Sequence, residues 1–310
     1  MSGEQVVVGV DGTDGAARAA EWAARRAALW GLPLLLVHGL RWPLYEQVHL
    51  HQPVDVAGEE AMRQWARDLL DDVARRCRAR GAVDVRAEVV PGDPADVLVR
   101  AAEGAAFVVV GHSDGGGVTS VLLGSTAAQV VQACARPVVV VRAGEGGAGG
   151  EGAGEEGTGE EGAGEEGAGE GGTPGGAGEA RGEGGPVVVG VDGSPIGGRA
   201  LRFAHEFAER AGVGLLAVHA VADGAVPYRV EEDADLAECA RLHPGVRARV
   251  EVVPGPPVEV LLAAARTAGL LVVGSHGAGV VRRALFGSVS QSVVDRAACP
   301  VAVLPPHAGA

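Results

Sequence analysis

One stretch of the sequence combines glycine, serine and a following helical pattern in a spacing that suits phosphate binding. Gly274, Gly277, Gly287 and Ser288 form a Gly-x2-Gly-x9-Gly-Ser motif that follows a Val-rich run and opens a helical pattern. Glycine permits positive φ and a close approach of the backbone to a ligand. The free amides of a helix N-terminus attract anions. The motif predicts a phosphate cradle, although a glycine-rich loop can also be simple turn chemistry. The cradle needs no lysine, and the chain contains none.

Polar residues at the ends of Val-rich runs are the other candidates. Asp11 and Asp192 each follow the first run of a repeated segment, where a carboxylate can bind a ligand or stabilise a turn. His38 and His219 close the second run at matching positions and have no catalytic partner in the sequence. For the two histidines we favour core or backbone-bonding roles.

The elements that must position these residues occur twice. Residues 6–13 (VVVGVDGT) recur as 187–194 (VVVGVDGS), and EVVPG at 88–92 recurs at 251–255. Each copy alternates five short strand patterns with four helical patterns, which favours a parallel sheet covered by helices on both faces. The predicted strands are 5–10, 33–39, 84–90, 106–111 and 137–142 in the first copy and 187–192, 214–219, 248–253, 269–274 and 300–304 in the second.

The predicted fold class is therefore α/β, with two Rossmann-like three-layer domains whose five-stranded parallel sheets have the order 3-2-1-4-5. In such a sheet ligands bind beyond the carboxyl ends of the strands, in the crevice that the first and fourth strands flank. Helices are expected near 14–30, 58–80, 93–104 and 125–135, with a shorter second helix near 231–242 in the second copy. Asp93 followed by Pro94 predicts a helix N-cap. Ser288 and Gln291 fit a capping box.

A segment between the copies has a different composition. Residues 143–185 are nearly all Gly, Glu and Ala and contain eleven Glu and one Arg, so they carry −10 of the net charge of −14. Having little apolar bulk to bury, this segment is predicted to be a disordered linker. The expected domains are 1–142 and 186–310. The acidity argues against a nucleic-acid partner.

Composition limits the classes further. No apolar run approaches the ~20 residues of a membrane-spanning helix, and no secretory pattern precedes the first strand, so we expect a cytoplasmic protein. Apolar residues make up 47% and aromatic residues 3%, which predicts a core of small branched side chains. The four cysteines are widely spaced, and we expect them to be buried rather than ligands or disulfides.

A resemblance becomes specific where these patterns combine. Strand-GVDGS, a second strand ending in VHA, and G-x2-G-x9-G-S-V-S followed by a helix and CPVAVL resemble the universal stress protein family, and both copies match. In its ATP-binding members the glycine motif holds the phosphates and ribose. The resemblance implies binding residues in the second copy at Asp192, Ala220, Val273, Gly274, Gly277, Gly287, Ser288 and Val289. In the first copy it implies Asp11, Gly39, Gly111, Gly124, Ser125 and Thr126.

The first copy departs from the family motif at one position. Asp114 stands where the second glycine is expected, between Gly111 and Gly124. A carboxylate beside a triphosphate is repulsive unless a metal ion bridges them. We therefore expect the second copy to bind nucleotide more readily than the first.

The resemblance implies an ATP-binding sensor or regulator of stress responses, with Mg²⁺ accompanying the nucleotide. Slow ATP hydrolysis is compatible with this interpretation, but the sequence supplies no convincing general base. Two alternatives are a nucleotide-free interaction module and an adenylating enzyme, which should carry an SGGxDS-type loop that this chain lacks. We expect the two domains to pair within one chain through their last strands. A further homodimer and an unidentified regulatory protein remain candidate partners.

Overall fold

The computed structural model describes residues 4–41, 56–112, 123–142, 184–221, 234–276 and 287–306. The predicted linker lies outside these residues apart from its last two glycines. The strands are β1 (Gln5–Gly9), β2 (Leu34–Leu40), β3 (Val85–Pro91), β4 (Ala105–Gly111), β5 (Val138–Val141), β6 (Val187–Gly190), β7 (Leu215–Val221), β8 (Ala248–Pro254), β9 (Leu270–Gly274) and β10 (Val301–Leu304). The helices are α1 (Asp14–Trp30), α2 (Val56–Ala79), α3 (Pro94–Ala101), α4 (Ser125–Ala133), α5 (Pro195–Ala211), α6 (Ala234–Leu242), α7 (Pro257–Ala265) and α8 (Ser288–Arg296).

The strands form one ten-stranded sheet of order β3-β2-β1-β4-β5-β10-β9-β6-β7-β8. We call β1–β5 with α1–α4 the first repeat and β6–β10 with α5–α8 the second. Neighbouring strands are parallel within each repeat, which confirms the predicted 3-2-1-4-5 order. The repeats meet where β5 and β10 pair antiparallel, with Ala302 opposite Val139. This contact confirms the predicted pairing through the last strands.

Buried valines on both faces of the sheet explain why the strand patterns read as continuous apolar runs. Val6 and Val8 pack under α1 and α2, whereas Val7 packs under α3 and α4, and all three are fully buried. Helices therefore cover both faces, as parallel strands require. Within the described residues, no helix is both long and apolar enough to cross a membrane.

The helix starts test two sequence predictions. Asp93 caps α3 by accepting a hydrogen bond from the Ala95 amide at 2.9 Å, with Pro94 in the first turn, as predicted. The predicted capping box at Ser288 is wrong. Gly287 is the N-cap of α8, and no side chain makes the capping bond. Ser288 is already the first helical residue, so its side chain is one position too late to cap.

Aromatic side chains concentrate where the repeats meet, which composition alone did not predict. Trp22 and Trp30 of α1, Phe107 of β4, and Phe203 and Phe207 of α5 form a cluster that we call the aromatic junction. The Trp30 and Phe207 rings lie 4.8 Å apart, edge to face, and the Trp22 and Phe207 rings lie 6.2 Å apart, stacked. Small branched residues do fill the strands, but rings join α1 to α5.

Two arginines extend over the aromatic junction from opposite repeats. Arg26 of α1 lies over the Phe207 ring at 5.6 Å, and Arg210 of α5 lies over the Trp30 ring at 5.6 Å. Each repeat thus places a cation on an aromatic ring of the other. Such contacts add to the attraction that ring burial provides.

The four cysteines and one histidine are buried. All four cysteines are free thiols and buried, as predicted. Burial raises the pKa of Cys77 and of Cys299 to about 12. His205 is fully buried in α5, and this burial lowers its pKa, with a smaller contribution from nearby His243. A hydrogen bond to the Leu201 carbonyl acts in the opposite direction.

Candidate functional site

In the first repeat a crevice opens at the carboxyl ends of β1, β2 and β4, where the winding of the sheet reverses. The crevice holds a cavity of about 250 Å³. All of the first-repeat residues that the sequence nominated line it, namely Asp11, Gly39, Gly111, Gly124, Ser125 and Thr126. The topology thus brings together residues that lie up to 115 positions apart in the chain.

Two of these glycines are required by packing alone. A Cβ on Gly111 would lie 2.4 Å from the backbone carbon of Gly15 in the first turn of α1. A Cβ on Gly39 would lie 2.5 Å from Cα of Pro94 at the start of α3. Both positions therefore demand glycine with or without a ligand. Because they have no side chains, these two glycines also leave the crevice open at the strand ends.

Asp11 organises the turn between β1 and α1. Its Oδ1 atom accepts hydrogen bonds from the Thr13 amide at 2.9 Å and the Thr13 hydroxyl at 2.6 Å. The Thr13 hydroxyl oxygen then caps α1 by accepting from the Ala16 amide at 3.2 Å. Gly12 has a φ of 88°, which favours glycine. The turn role is thus present in the structure, and it fixes the carboxylate at the edge of the crevice.

The second repeat builds the same turn. Asp192 Oδ1 accepts from the Ser194 amide at 3.0 Å and the Ser194 hydroxyl at 2.6 Å. Ser194 caps α5 through the Gly197 amide at 3.0 Å, and Gly193 has a φ of 73°. The Asp-Gly-Thr/Ser pattern of the sequence is therefore a helix-starting turn in both repeats.

His38 and His219 have the backbone role that the sequence favoured. His38 Nδ1 lies 2.8 Å from the Val10 carbonyl oxygen, and His219 Nδ1 lies 2.9 Å from that of Val191. In each repeat the histidine ties the end of the second strand to the end of the first. The two strand ends that border the crevice are thereby held in register.

Trp65 lies beside the crevice, in contact with a residue that lines it, and sequence reasoning missed it. It lies on α2 with half of its surface exposed, and its ring packs edge to face against His38 at 5.6 Å. A Cβ on Gly12 would lie 3.4 Å from the Trp65 ring. An exposed indole beside the Asp11 turn can stack on a planar ligand. The signal was weak because Trp65 is far from every motif in the chain.

The second repeat places its nominated residues at the corresponding strand ends. β6, β7 and β9 are neighbours, and α8 begins next to β9. Ser288 is exposed, Val289 is half-buried, and Val273 is a buried core residue of β9. The described members of this set are Asp192, Ala220, Val273, Gly274, Gly287, Ser288 and Val289. Gly277, and Asp114 of the first repeat, lie outside the described residues.

The glycines that remain have a different role from the predicted one. Neither Gly274 nor Gly287 has positive φ, and Gly287 has a φ of −69°, so that part of the cradle prediction is wrong for both. A Cβ on Gly274 would lie 2.4 Å from Cγ2 of Ile196. The Gly287 amide donates to the Ser275 carbonyl at 2.8 Å. Close packing, rather than an unusual backbone conformation, requires glycine at 274.

Ser290 is a second residue that the motif search missed. It is 3% exposed, and its hydroxyl lies 3.0 Å from the Ser275 carbonyl oxygen and 2.9 Å from the Gly287 carbonyl oxygen. These contacts fasten the start of α8 to the end of β9. The final serine of the G-S-V-S pattern thus stabilises the loop geometry, while Ser288 faces outward.

Asp93 is a second charged residue near the edge of the first crevice, next to Pro94. Desolvation raises the pKa of this carboxyl, but hydrogen bonds from the Ala95 and Asp96 amides, together with Arg41, outweigh it and lower the pKa. Asp93 therefore remains ionised and paired with Arg41 beside Pro94, which lines the cavity. Among the described residues, no group of His, Cys, Asp and Glu side chains is arranged to hold a metal ion.

The fold and the crevice define a tandem of doubly wound α/β repeats. Comparison with known proteins identifies the family to which this tandem belongs. A model described as the universal stress protein family matches residues 4–142 and 185–305. A universal stress protein of Mycobacterium tuberculosis is 30% identical over 316 residues, covering 96% of each chain. One from Mycolicibacterium smegmatis is 30% identical over 320 residues, covering 97% of each. The crystal structure of a universal stress protein from Archaeoglobus fulgidus aligns over 100% of both chains, with a TM-score of 0.71 and 20% identity.

The chain belongs to the universal stress protein family. Its relatives match along nearly their whole length, so the tandem arrangement extends to them. The archaeal structure shares the fold.

Proposed function

We propose that this protein binds an adenine nucleotide, ATP with Mg²⁺, in its strand-end crevices and acts as a regulator in the response of the cell to stress. The observation that carries the proposal is the first-repeat cavity, which is lined by all six residues that the sequence nominated there. The proposed setting is the cytoplasm.

The crevice has the features that a nucleotide needs. Ser125 and Thr126 form the first turn of α4, whose free N–H groups suit phosphate oxygens. The cavity of about 250 Å³ is close to the lower limit of ~300 Å³ for small-molecule pockets, so it fits a nucleoside better than a complete triphosphate. Trp65 and His38 supply flat surfaces beside it. Mg²⁺ would be held mainly by the phosphates, since no protein cluster for it occurs in the described residues.

The second repeat carries the intact glycine spacing, but a side chain rather than backbone packs on the end of its fourth strand. Ile196 replaces Gly15 of the first repeat at the matching helix position, and its side chain packs on Gly274. The motif favours the second repeat, whereas Asp114 disfavours the first. We therefore expect nearer one nucleotide than two per chain, with the tighter site in the second repeat.

Isothermal titration calorimetry with Mg·ATP tests the proposal repeat by repeat. Gly277→Val should abolish the second site, and Thr126→Trp should fill the first cavity and abolish that site. Gly245→Val is the matched control, because a Cβ on Gly245 meets no atom within 4 Å. Circular dichroism should show that all three variants remain folded. Unchanged affinity and stoichiometry in both site variants would refute nucleotide binding in the crevices.

Native mass spectrometry of the purified protein separates the proposal from its alternatives. Bound ATP supports the regulator, and AMP favours an adenylating enzyme. A mass without ligand that stays unchanged when Mg·ATP is added favours an interaction module. An Asp114→Gly variant should gain affinity in the first repeat. Two equal, tight sites in the unaltered protein would show that Asp114 is not repulsive.

A further inference from the structure

A second cavity, of about 350 Å³, lies between the repeats, and we call it the junction cavity. It opens at the amino ends of β4 and β5, next to Ala106 and Pro137, and at the carboxyl end of β10, next to Leu304. The nucleotide crevice of the first repeat opens at the carboxyl ends of the strands. The two cavities are therefore at opposite ends of β4 and can be tested independently.

One wall of the junction cavity is aromatic. Trp30, Phe107, Phe203 and Phe207 all line it, and they come from both repeats. Aromatic walls of this kind suit a planar apolar group, which stacks or packs edge to face on the rings. The pairing of the repeats creates this wall, because neither repeat supplies all four rings.

The charged residues in the cavity lining are mostly cationic. Four arginines and two glutamates line it. Two of the arginines are neutralised locally, since Arg202 pairs with Asp235 and Arg210 pairs with Glu206. The guanidinium of Arg136 has no ion-pair partner among the described residues.

Arg199 is the second arginine of the cavity without an ion pair among the described residues. It donates to the Pro305 and Pro306 carbonyl oxygens at 3.1 and 2.5 Å, which are neutral acceptors. Burial, and repulsion from Arg202, lower its pKa. An anion beside Arg136 and Arg199 would therefore be stabilised by both charges.

Three polar atoms of the cavity residues are buried without a hydrogen-bond partner among the described residues. Trp30 Nε1 and Arg199 Nε are donors, and Glu4 Oε2 is an acceptor. A buried polar atom without a partner costs about 1–3 kcal/mol, and such groups call for a specific explanation. A ligand with an acceptor at one end and a hydroxyl donor at the other would match cavity residues of both kinds, with Trp30 and Arg199 as donors and Glu4 as an acceptor.

We propose that the junction cavity is a binding site for a small aromatic acid, a planar ring system with a carboxylate that pairs with Arg136 and Arg199 and a hydroxyl group that donates to Glu4. The rings of the ligand pack against the aromatic junction. Because residues of both repeats line the cavity, the ligand binds the paired repeats in preference to the separated ones. Its binding therefore stabilises the pairing of the repeats.

The test is calorimetric titration of the full chain with 6-hydroxy-2-naphthoate, and with 2-naphthol, which lacks only the carboxylate. We expect the naphthoate to bind at least tenfold more tightly than the naphthol. Arg136→Gln should weaken naphthoate binding about tenfold, because it removes a charge-assisted hydrogen bond. Arg266→Gln, at an exposed arginine of the second repeat outside the cavity, is the matched control and should change nothing.

Two further variants locate the site. Ala106→Phe should fill the junction cavity and abolish naphthoate binding, whereas Gly277→Val, in the proposed nucleotide loop, should leave it unchanged. If Ala106→Phe fails to fold, the Arg136→Gln comparison still decides. The proposal is overturned by any of three results: no heat of binding up to millimolar naphthoate, equal affinity for naphthol, or equal affinity of Arg136→Gln and the unaltered protein. Loss of nucleotide binding in Gly277→Val would not bear on this site.

Discussion

Phe207 is the residue at which the junction between the repeats can be tested most directly. Its side chain is 4% exposed, and its ring contacts Trp30, Trp22 and Phe203 at centroid distances of 4.8, 6.2 and 6.0 Å. Arg26 of the other repeat lies over the same ring at 5.6 Å. Phe207→Ala therefore removes contacts to both tryptophans of α1 in a single change.

The size of the effect follows from these contacts. Burying a phenylalanine removes ~150–250 Å² from water, which at ~25 cal/mol per Å² is worth about 4–6 kcal/mol. Measured Phe→Ala changes in cores cost ~3–5 kcal/mol. We expect Phe207→Ala to lower the free energy of unfolding by about 3–5 kcal/mol. Phe207→Leu keeps most of the volume but loses the ring contacts and should cost ~1–2 kcal/mol.

Urea denaturation followed by circular dichroism measures the loss of stability, and tryptophan fluorescence reports on Trp22 and Trp30. Small-angle scattering shows whether the repeats separate. Trp65→Ala is the control for a tryptophan outside the junction, because half of the Trp65 side chain is already exposed. A cost below about 1 kcal/mol for Phe207→Ala, with unchanged fluorescence and scattering, would show that the aromatic junction does not hold the repeats together.

Three other changes probe the same architecture. Val139→Glu combined with Ala302→Glu places two carboxylates opposite each other where both native side chains are fully buried, so the repeats should separate and the radius of gyration should increase. An unchanged radius would contradict β5–β10 pairing. Burial lowers the pKa of His205 from 6.5, so the unfolded chain binds the proton first as pH falls. Stability should then decrease below pH ~6.5 by up to ~1.4 kcal/mol per pH unit until the folded-state pKa is reached, and His205→Gln should flatten this profile in urea titrations. Cys77 and Cys299, with pKa values of about 12, should react with a thiol reagent at pH 8 only after unfolding; fast reaction in the native protein would exclude their burial.

Much of the fold could be predicted from the sequence because local residue patterns specify the strands and helices of each repeat. Valine runs between turn residues mark the buried strands, and the alternation with helices implies a parallel sheet. The pairing of β5 with β10 followed from an apolar strand that would otherwise be an exposed edge. The aromatic junction did not follow, because Trp22 and Phe203 are 181 residues apart and only the assembled repeats bring them together.

The position of the candidate crevice in the first repeat was predictable, but the conformational roles of the motif glycines were not. The spacing placed Gly111 and Gly124 on one crevice, and they do line one cavity. The reason given for Gly274 and Gly287, positive φ, was wrong, because neighbouring backbone and side chains determine what fits at these positions. Ser288 was expected to cap α8, but it is the first residue of that helix and Gly287 is the N-cap. Contacts between residues that are distant in sequence determine such roles, and a linear motif contains no information about these contacts.

The two repeats have diverged at the positions that surround their cavities, and this divergence argues for a division of roles. Gly15 of the first repeat corresponds to Ile196 of the second, so the end of β9 is packed by a side chain where the end of β4 is packed by backbone. Trp30 corresponds to Ala211, so only one of the two symmetry-related junction positions has an indole. The differences fit the two proposals that one crevice binds nucleotide more tightly and that the contact between the repeats supplies a site that neither repeat has alone.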